Sequence, residues 1–517
     1  MNESKKRFVA SALSLIFAMS FLTTNVSAAS NNTPPGDPPG GSAMGEPPGD
    51  PPDGAPGGQG GPGGGSASVS YSGASTIDSS TTDSDASYTS STGGENALLV
   101  SGGESTLNNV TVTKSGDESD ENSDFYGTNA AVLVYNDATL HIKGGTVTTN
   151  GAHANGVFAY GSGTIDISDA TVNTSANNSG GIMVTGGGTL NASNLTVETQ
   201  GNSSAAIRSD RGGGTMTVDG GSYTTNGKGS PAIYSTADIT VNNANLTATS
   251  SEGIVVEGAN SVTLNNTVLT DTNDSLNGQS ETDKNIFLYQ SQSGDAAEGT
   301  SYFTAADSTI TTNKGDTFYI TNTTSVIQLT NNAIVNNDST GVLLRAESAA
   351  WGSSGSNGGK VTLNLSRQTA EGDMVVDSVS TLAVTLADGS VYKGTINGVN
   401  QAGNVSLTLD ENSVVVLTGD SYVDSLTNAV PDNSNIYLNG YTLYVDGTAV
   451  SANQGTAPEV TTDSGAGASG VSQAASHSDS GDYTWLVVMA GMVILLAAAG
   501  CTGYFLMNAK KDKAAAK

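Results

Sequence analysis

Cysteine is almost absent from this chain of 517 residues, because Cys501 is the only one. It lies in an apolar segment close to the C-terminal end, so the rest of the chain has no disulfide to stabilise it. Histidine is also rare and occurs only as His141, His153 and His477. Chemistry that needs several histidines therefore has few candidate residues.

Positive charge is scarce as well. The sequence has 18 Lys and Arg residues against 49 Asp and Glu residues, and its formal net charge is −31. A surface of this sign repels polyanions, so we expect no nucleic-acid partner. Aromatic residues make up 5% and charged residues 13% of the chain, whereas Gly alone contributes 66 residues.

A short pattern of apolar and small residues recurs along the middle of the chain. Apolar or small residues stand in the order φ-x-φ-x-x-φ-x-φ, first clearly at Leu140–Val147. The frame begins again at 165, 190, 216, 239 and 262. A third φ-x-φ precedes most units by eight residues, as at Val132/Val134 and Ile182/Val184. A fixed period in this range indicates stacked repeats, and three short strands for every 23–26 residues predict the coils of a parallel β-helix.

One column of this frame contains only Asn, Asp and Gly. These residue types tolerate the left-handed backbone that a two-residue bend between strands requires. The predicted corner residues are Asn109, Gly144, Asp169, Asn194, Gly220, Asn243, Asn266, Asp307 and Asn331.

The repeat and its corner column resemble the right-handed parallel β-helix of the pectate-lyase-like superfamily over residues 95–345. The resemblance implies an all-β solenoid. The catalytic motifs of that superfamily are not found, since the sequence has neither an Asp-Asp pair nor a Gly-His-Gly segment and its basic residues stand singly in the coils.

The segments outside the repeat predict a membrane-anchored surface protein. Lys5, Lys6 and Arg7 precede an apolar run that is typical of a secretory signal, and 23 uncharged residues from Trp485 are long enough to span a bilayer. The lysines that follow this span predict an internal tail. We expect a signal peptide at 1–28, a Pro/Gly-rich disordered leader at 29–66, a regular β-helix at 67–360, wider irregular coils with a cap at 361–450, a Ser/Ala/Gly-rich stalk at 451–484, a transmembrane helix at 485–507 and a basic tail at 508–517.

Two groups of residues are weak candidates for chemistry. Stacking places His141 beside Asp166, a pair that could orient a base, although the column contains no nucleophile and a surface ladder is the simpler interpretation. An acidic loop could bind Ca²⁺ through several carboxylates, although a solvated loop is favoured and no cofactor is expected. Its acidic residues are Asp117, Glu118, Asp120, Glu121 and Asp124.

The insertion at 345–360 offers the best candidate for ligand binding. It combines Arg345 and Glu347 with Trp351, whose ring could stack on a sugar, and packing of the ring on the solenoid is the favoured alternative. We therefore expect a non-catalytic adhesin-like protein that contacts carbohydrate or a neighbouring cell surface. The alternative is a surface-anchored polysaccharide lyase or glycoside hydrolase of the β-helix type.

Overall fold

The computed structural model describes residues 69–120, 122–276 and 281–457, which belong to one compact unit. The predicted signal peptide, the leader, most of the stalk, the transmembrane helix and the basic tail lie outside the described residues. The described chain is an all-β parallel solenoid of the right-handed type with about 15 turns. The β-helix prediction is therefore confirmed.

The first sheet, called the A sheet, takes one strand from each of twelve successive coils, all paired in parallel. Its strands are Gly73–Ile77, Asn96–Val100, Val132–Val134, Val157–Tyr160, Ile182–Thr185, Ile207–Ser209, Ile233–Ser235, Ile254–Glu257, Lys284–Tyr289, Asp316–Thr321, Val342–Ala346 and Asp373–Val376.

The second sheet, called the B sheet, has twenty strands and bends at the corner column, so that each coil up to Asn336 contributes an arm on either side of the bend and the later coils contribute one arm. Its strands are Thr82–Ser84, Ser87–Ser90, Glu104–Lys114, Thr139–Thr149, Thr164–Ser168, Thr171–Thr174, Gly188–Thr199, Gly214–Thr225, Asp238–Asn242, Asn245–Ala248, Ser261–Asn265, Val268–Asp271, Thr300–Ala306, Thr309–Thr312, Thr324–Thr330, Ala333–Asn336, Lys360–Ser366, Thr381–Ala387, Asn404–Leu409 and Ser425–Asn428.

Two small sheets complete the C-terminal coils. The strands Thr369–Glu371, Val391–Gly394, Val414–Leu417 and Ile436–Tyr437 form the third sheet, and Ser421–Val423, Leu443–Val445 and Thr448–Ala449 form the fourth. The last two strands pair antiparallel and close the described chain. The single described helix, Asn122–Tyr126, lies in the acidic loop.

The register reproduces the period of the sequence. Thr139 pairs with Thr164, Thr164 with Thr189, and Thr189 with Thr215. Alternate side chains point inward, so the first apolar position of every repeat is buried to 1% exposure or less. These residues are Leu140, Ile165, Leu190, Met216, Ile239 and Val262. Each such side chain stabilises the folded state by about 1.5–3 kcal/mol, which accounts for a fold without disulfides.

All nine predicted corner residues have a positive φ, between 48° and 73°. Side-chain hydrogen bonds also connect the column from coil to coil. The Nδ2 of Asn194 donates to Oδ1 of Asp169 at 2.9 Å, and that of Asn266 donates to Oδ1 of Asn243 at 2.8 Å. The Asn and Asp side chains therefore both permit the bend and link successive bends.

The prediction of wider coils beyond residue 361 is wrong. Val361 pairs with Leu382 and Leu382 with Val405, which gives coils of 21 and 23 residues. The repeat is hard to recognise in this part of the sequence because Arg367, with φ 48°, occupies the corner position, where the preceding coils have Asn, Asp or Gly. The contacts of the last coil also run past residue 450, since Asn453 forms a bridge with Tyr437.

Candidate functional site

The outer face of the A sheet is covered, although the middle residue of each strand points away from the core. Leu133, Phe158, Met183, Val255 and Phe287 occupy this outward column, and all are fully buried. Insertions within 113–129, 270–300 and 345–360 cover them, and the second of these ranges also contributes the A-sheet strand Lys284–Tyr289. These insertions create the buried and concave surfaces on which a site can form.

A group of charged residues interrupts the apolar column at Arg208, which is 4% exposed. Its Nη2 lies 3.1 Å from Oδ2 of Asp210, and its Nη1 lies 3.8 Å from Oδ1 of Asp124. The other oxygen of Asp124 is 2.8 Å from Nδ1 of His153. All four side chains are buried, so they interact with one another rather than with water.

The second insertion extends this group across the face. The Nε of Arg211 donates to Oδ1 of Asp295, 84 residues along the chain, and its guanidinium lies 3.6 Å from the ring centroid of Phe125. Arg211 therefore contacts the first insertion with one face and pairs with the second. We call Asp124, His153, Arg208, Asp210, Glu257 and Asp295 the A-face cluster.

Glu257 is the most deeply buried carboxyl of the A-face cluster, with no exposed surface. The hydroxyls of Tyr234 and Tyr289 donate to its Oε2 at 2.5 and 3.0 Å, and that of Ser291 donates to its Oε1. Burial nevertheless raises the pKa of Glu257, because removal from water costs the charged form more than the three hydrogen bonds return.

Asp210 also titrates outside the ordinary carboxyl range. Burial raises its pKa to about 7, and the charges of Asp295 and Asp124 act in the same direction, whereas Arg208 lowers it. A carboxyl of this kind can hold a proton at neutral pH, which is the property of a general acid. Its burial beneath the insertions leaves it without contact to solvent.

An open space adjoins the A-face cluster, between the second and third insertions. This cleft has a volume of about 760 Å³ and is lined mainly by amide, hydroxyl and glycine groups. Gln290, Gln292 and Asn322 supply the amides, while Glu298 and Lys360 supply one charge of each sign. The cleft offers many hydrogen-bonding groups and no aromatic ring.

Hydrogen bonds within the chain fix the wall of the cleft. Asn322 has a φ of 51°, and its Nδ2 donates to the carbonyl oxygen of Gln290 at 2.7 Å. Ser291, next to Gln290, bonds to Glu257 of the A-face cluster. The buried cluster therefore fixes the base of one insertion, while Gln292 and Glu298 of the same insertion are exposed.

His141 and Asp166 lie side by side on the B sheet, in the predicted register. His141 Nδ1 is 3.0 Å from Oδ2 of Asp166, and its Nε2 is 3.2 Å from Oε1 of Glu104. The three side chains are 35%, 42% and 74% exposed. The arrangement is a hydrogen-bonded ladder on an open surface.

The described carboxylates of the acidic loop do not converge on one point. Asp124 turns inward to His153, whereas Asp117 accepts from the main-chain N–H of Ala152 at 2.8 Å. Asp120 and Glu118 accept from main-chain N–H groups within the loop, and Glu121 lies outside the described residues. Among the residues that the structure describes, no three His, Cys, Asp or Glu side chains are placed to hold a metal ion.

The Trp351 side chain is buried rather than exposed to solvent. It is 4% exposed, and its ring lies 5.4 Å from Phe287 and 5.3 Å from Tyr289, measured between centroids. Arg345 Nε lies 2.5 Å from Oδ2 of Asp316, and its Nη1 lies 3.7 Å from Glu347. The Trp351 ring is packed on the A sheet, which is the alternative favoured from the sequence, and only 4% of the residue is exposed.

The A-face cluster and the cleft were both missed in the sequence. One signal was present, since Arg208 stands in a column whose other members include Leu133, Phe158 and Met183. A charged residue there implies a buried partner. In the parts of the chain that the structure describes, no helix is long and apolar enough to cross a membrane, and the span predicted at 485–507 lies outside them.

Comparison of the chain with known protein families, with curated proteins and with solved structures finds no match.

Proposed function

We propose that this protein is a membrane-anchored, extracellular β-solenoid that contacts carbohydrate without altering it. The observation that carries the proposal is the cleft between the second and third insertions. Its amides and hydroxyls can each donate and accept hydrogen bonds, which suits the hydroxyls of a neutral sugar.

The polar lining of the cleft, which has no aromatic ring, determines how tightly a sugar should bind. Each hydrogen bond to a sugar replaces one to water, so it contributes only about 0.5–1.5 kcal/mol. With no aromatic platform in the cleft, a single site should bind weakly. Tight attachment to a surface then requires many copies of the protein, which a membrane anchor provides by holding them together.

Location at the cell surface is part of the same proposal. It rests on the basic and apolar N-terminal segment and on the uncharged run from Trp485 that three lysines follow. The strongly acidic composition suits an exposed protein that must stay soluble next to other surfaces.

A glycan-array screen of the purified full chain tests the proposal. We expect binding that is lost in the double variant Gln292→Ala, Lys360→Ala, because both exposed side chains line the cleft. Gln328→Ala is the matched control, since Gln328 is an exposed amide on a regular B-sheet strand. Absence of binding, or equal binding by both variants, would refute a carbohydrate cleft.

The second candidate is a surface-anchored polysaccharide lyase or glycoside hydrolase. The raised pKa of Asp210 and the nearby carboxyl of Asp295 favour it, because glycoside hydrolysis uses a pair of carboxyl groups, one of which acts as the acid. Burial of both side chains opposes it, since a substrate would have to displace the insertions. Release of reducing sugar by the natural chain but not by Asp210→Asn would support this candidate.

A further inference from the structure

A buried carboxyl and a buried amine form an ion pair beside the outward column of the A sheet, at a place that the cleft does not use. Lys284 begins an A-sheet strand and is 1% exposed, and its Nζ lies 3.6 Å from Oε1 of Glu252, which is also 1% exposed. Each residue stands two positions before a member of the paired Ile254 and Ile286. The register of adjacent coils therefore holds the two side chains against each other.

Two aromatic rings flank the amine of this pair, and its Nζ also donates to the main-chain carbonyl of Thr282 at 3.0 Å. The Nζ of Lys284 lies 4.7 Å from the ring centroid of Phe287 and 5.0 Å from that of Tyr319. Burial lowers the pKa of Lys284, which increases the fraction of neutral and nucleophilic amine.

A third group supplies a proton. Asp271 is fully buried, and burial together with the negative charge of Glu252 raises the pKa of Asp271 to about 8. It therefore carries a proton at neutral pH. Its segment is fixed next to the pair, because the Nδ2 of Asn273, two residues further along, donates to the main-chain carbonyl of Lys284 at 3.0 Å. An amine, a carboxyl and a neutral acid are the groups that amide formation needs.

We propose that Lys284 and Glu252 condense into an intramolecular amide that covalently joins two neighbouring coils, with Asp271 as the proton-transfer group. Within the ion pair, the ammonium of Lys284 first passes one proton to the carboxylate of Glu252, which leaves a neutral amine and a carboxylic acid. The lone pair of Nζ then attacks Cδ of Glu252 and a carbon–nitrogen bond forms. Asp271 gives its proton to the hydroxyl oxygen on Cδ, the bond between Cδ and that oxygen breaks to release water, and Asp271 recovers a proton from the nitrogen. One amine and one carboxylic acid thus become one amide and one water, with no oxidant or cofactor.

The natural chain itself provides the first test, after denaturation and digestion with trypsin. The amide blocks cleavage after Lys284, so we expect the peptide 229–314 to appear intact and lighter by one water. Lys114 is the internal control, because it is equally buried and its Nζ donates to main-chain carbonyls, as that of Lys284 does to Thr282, but it forms no ion pair with a carboxylate of the described residues. Trypsin should cleave after Lys114.

Digestion after glutamate locates the bond independently. The amide should prevent cleavage after Glu252 and leave peptide 199–257 attached to peptide 282–298, again with the loss of one water. An unmodified peptide 229–284 from trypsin, in protein that has been aged at neutral pH, would overturn the proposal without any variant being made.

Two variants separate the roles of the residues. Lys284→Arg keeps the positive charge but should show the mass calculated from its own sequence, with no loss of water. Asp271→Asn keeps the amine and the carboxyl, and it should form the cross-link at least tenfold more slowly, as followed by the fraction of peptide 229–314. An unchanged rate in Asp271→Asn would overturn the role assigned to Asp271, and loss of water in Lys284→Arg would overturn the assignment of the bond.

Discussion

Asn194→Val is the most informative single change in the corner column. Asn194 has a φ of 52° and is exposed, so valine meets no steric obstacle from packing. A left-handed residue with a Cβ costs about 1–2 kcal/mol, and branching at Cβ places valine at the upper end. The variant also loses the hydrogen bond to Asp169.

The chain offers a matched control three residues away. Asn191 is also exposed, and its Nδ2 donates to Oδ1 of Asp166 at 2.8 Å, against 2.9 Å for Asn194 and Asp169. Asn191 lies on a strand with ordinary backbone geometry, so Asn191→Val loses the same kind of bond without the strain. The difference between the two variants therefore isolates the cost of the left-handed backbone.

Chemical denaturation of both variants and of Asn194→Gly measures this cost. We expect Asn194→Val to be less stable than Asn191→Val by about 2 kcal/mol. Asn194→Gly should stay within about 1 kcal/mol of the natural chain, because glycine adopts positive φ readily. Equal stability of the two valine variants would refute the assignment of the corner column.

Three further predictions concern burial and anchoring. Stability should fall as the pH rises from about 5 to about 8, because the raised pKa values of Asp210 and Asp271 mean that the folded state binds more protons than the unfolded chain in this interval; a denaturation midpoint that rises with pH would contradict this. Trp351→Ala should cost about 3 kcal/mol through the cavity left beside Phe287, and an unchanged midpoint would show that the insertion does not depend on it. A chain that ends before Trp485 should be released into the medium, and retention in the membrane fraction would refute a single anchor.

The repeating part of the fold could be predicted because each coil imposes the same physical demands. An inward position such as Leu190 must be apolar, and a left-handed corner such as Asn194 must be Asn, Asp or Gly. Two columns with different requirements fix the period and the register together. The prediction failed at Arg367, where one corner residue departs from the rule although its backbone keeps the same conformation.

The candidate site could not be predicted in the same way, since it depends on contacts between insertions that follow no period. Arg211 pairs with Asp295 across 84 residues, and Asp124 leaves an acidic loop to meet His153. Nothing local distinguishes Asp124 from its solvated neighbours. The apolar runs of the A-sheet strands do show that both faces are buried, but they do not show which segment covers the outer one.

The charges on the A face illustrate a general consequence of covering a sheet with loops. Arg208 is buried between Asp210 and Asp124, so removing Arg208 leaves two buried carboxyls without their shared cation. They are retained either for the specificity of docking the insertions or for chemistry. The comparison of Asp210→Asn with the natural chain on polysaccharide distinguishes these roles, because only the second role involves product release.

Protection of Lys360 from acetylation by a bound oligosaccharide tests the central claim most directly. Lys360 is exposed and lines the cleft, whereas Lys143 is exposed on the B sheet away from it. With a saturating glycan chosen from the array, acetylation of Lys360 should slow while that of Lys143 stays constant, as measured by mass spectrometry of the corresponding peptides. Equal rates at Lys360 with and without the bound glycan would contradict carbohydrate contact at the cleft.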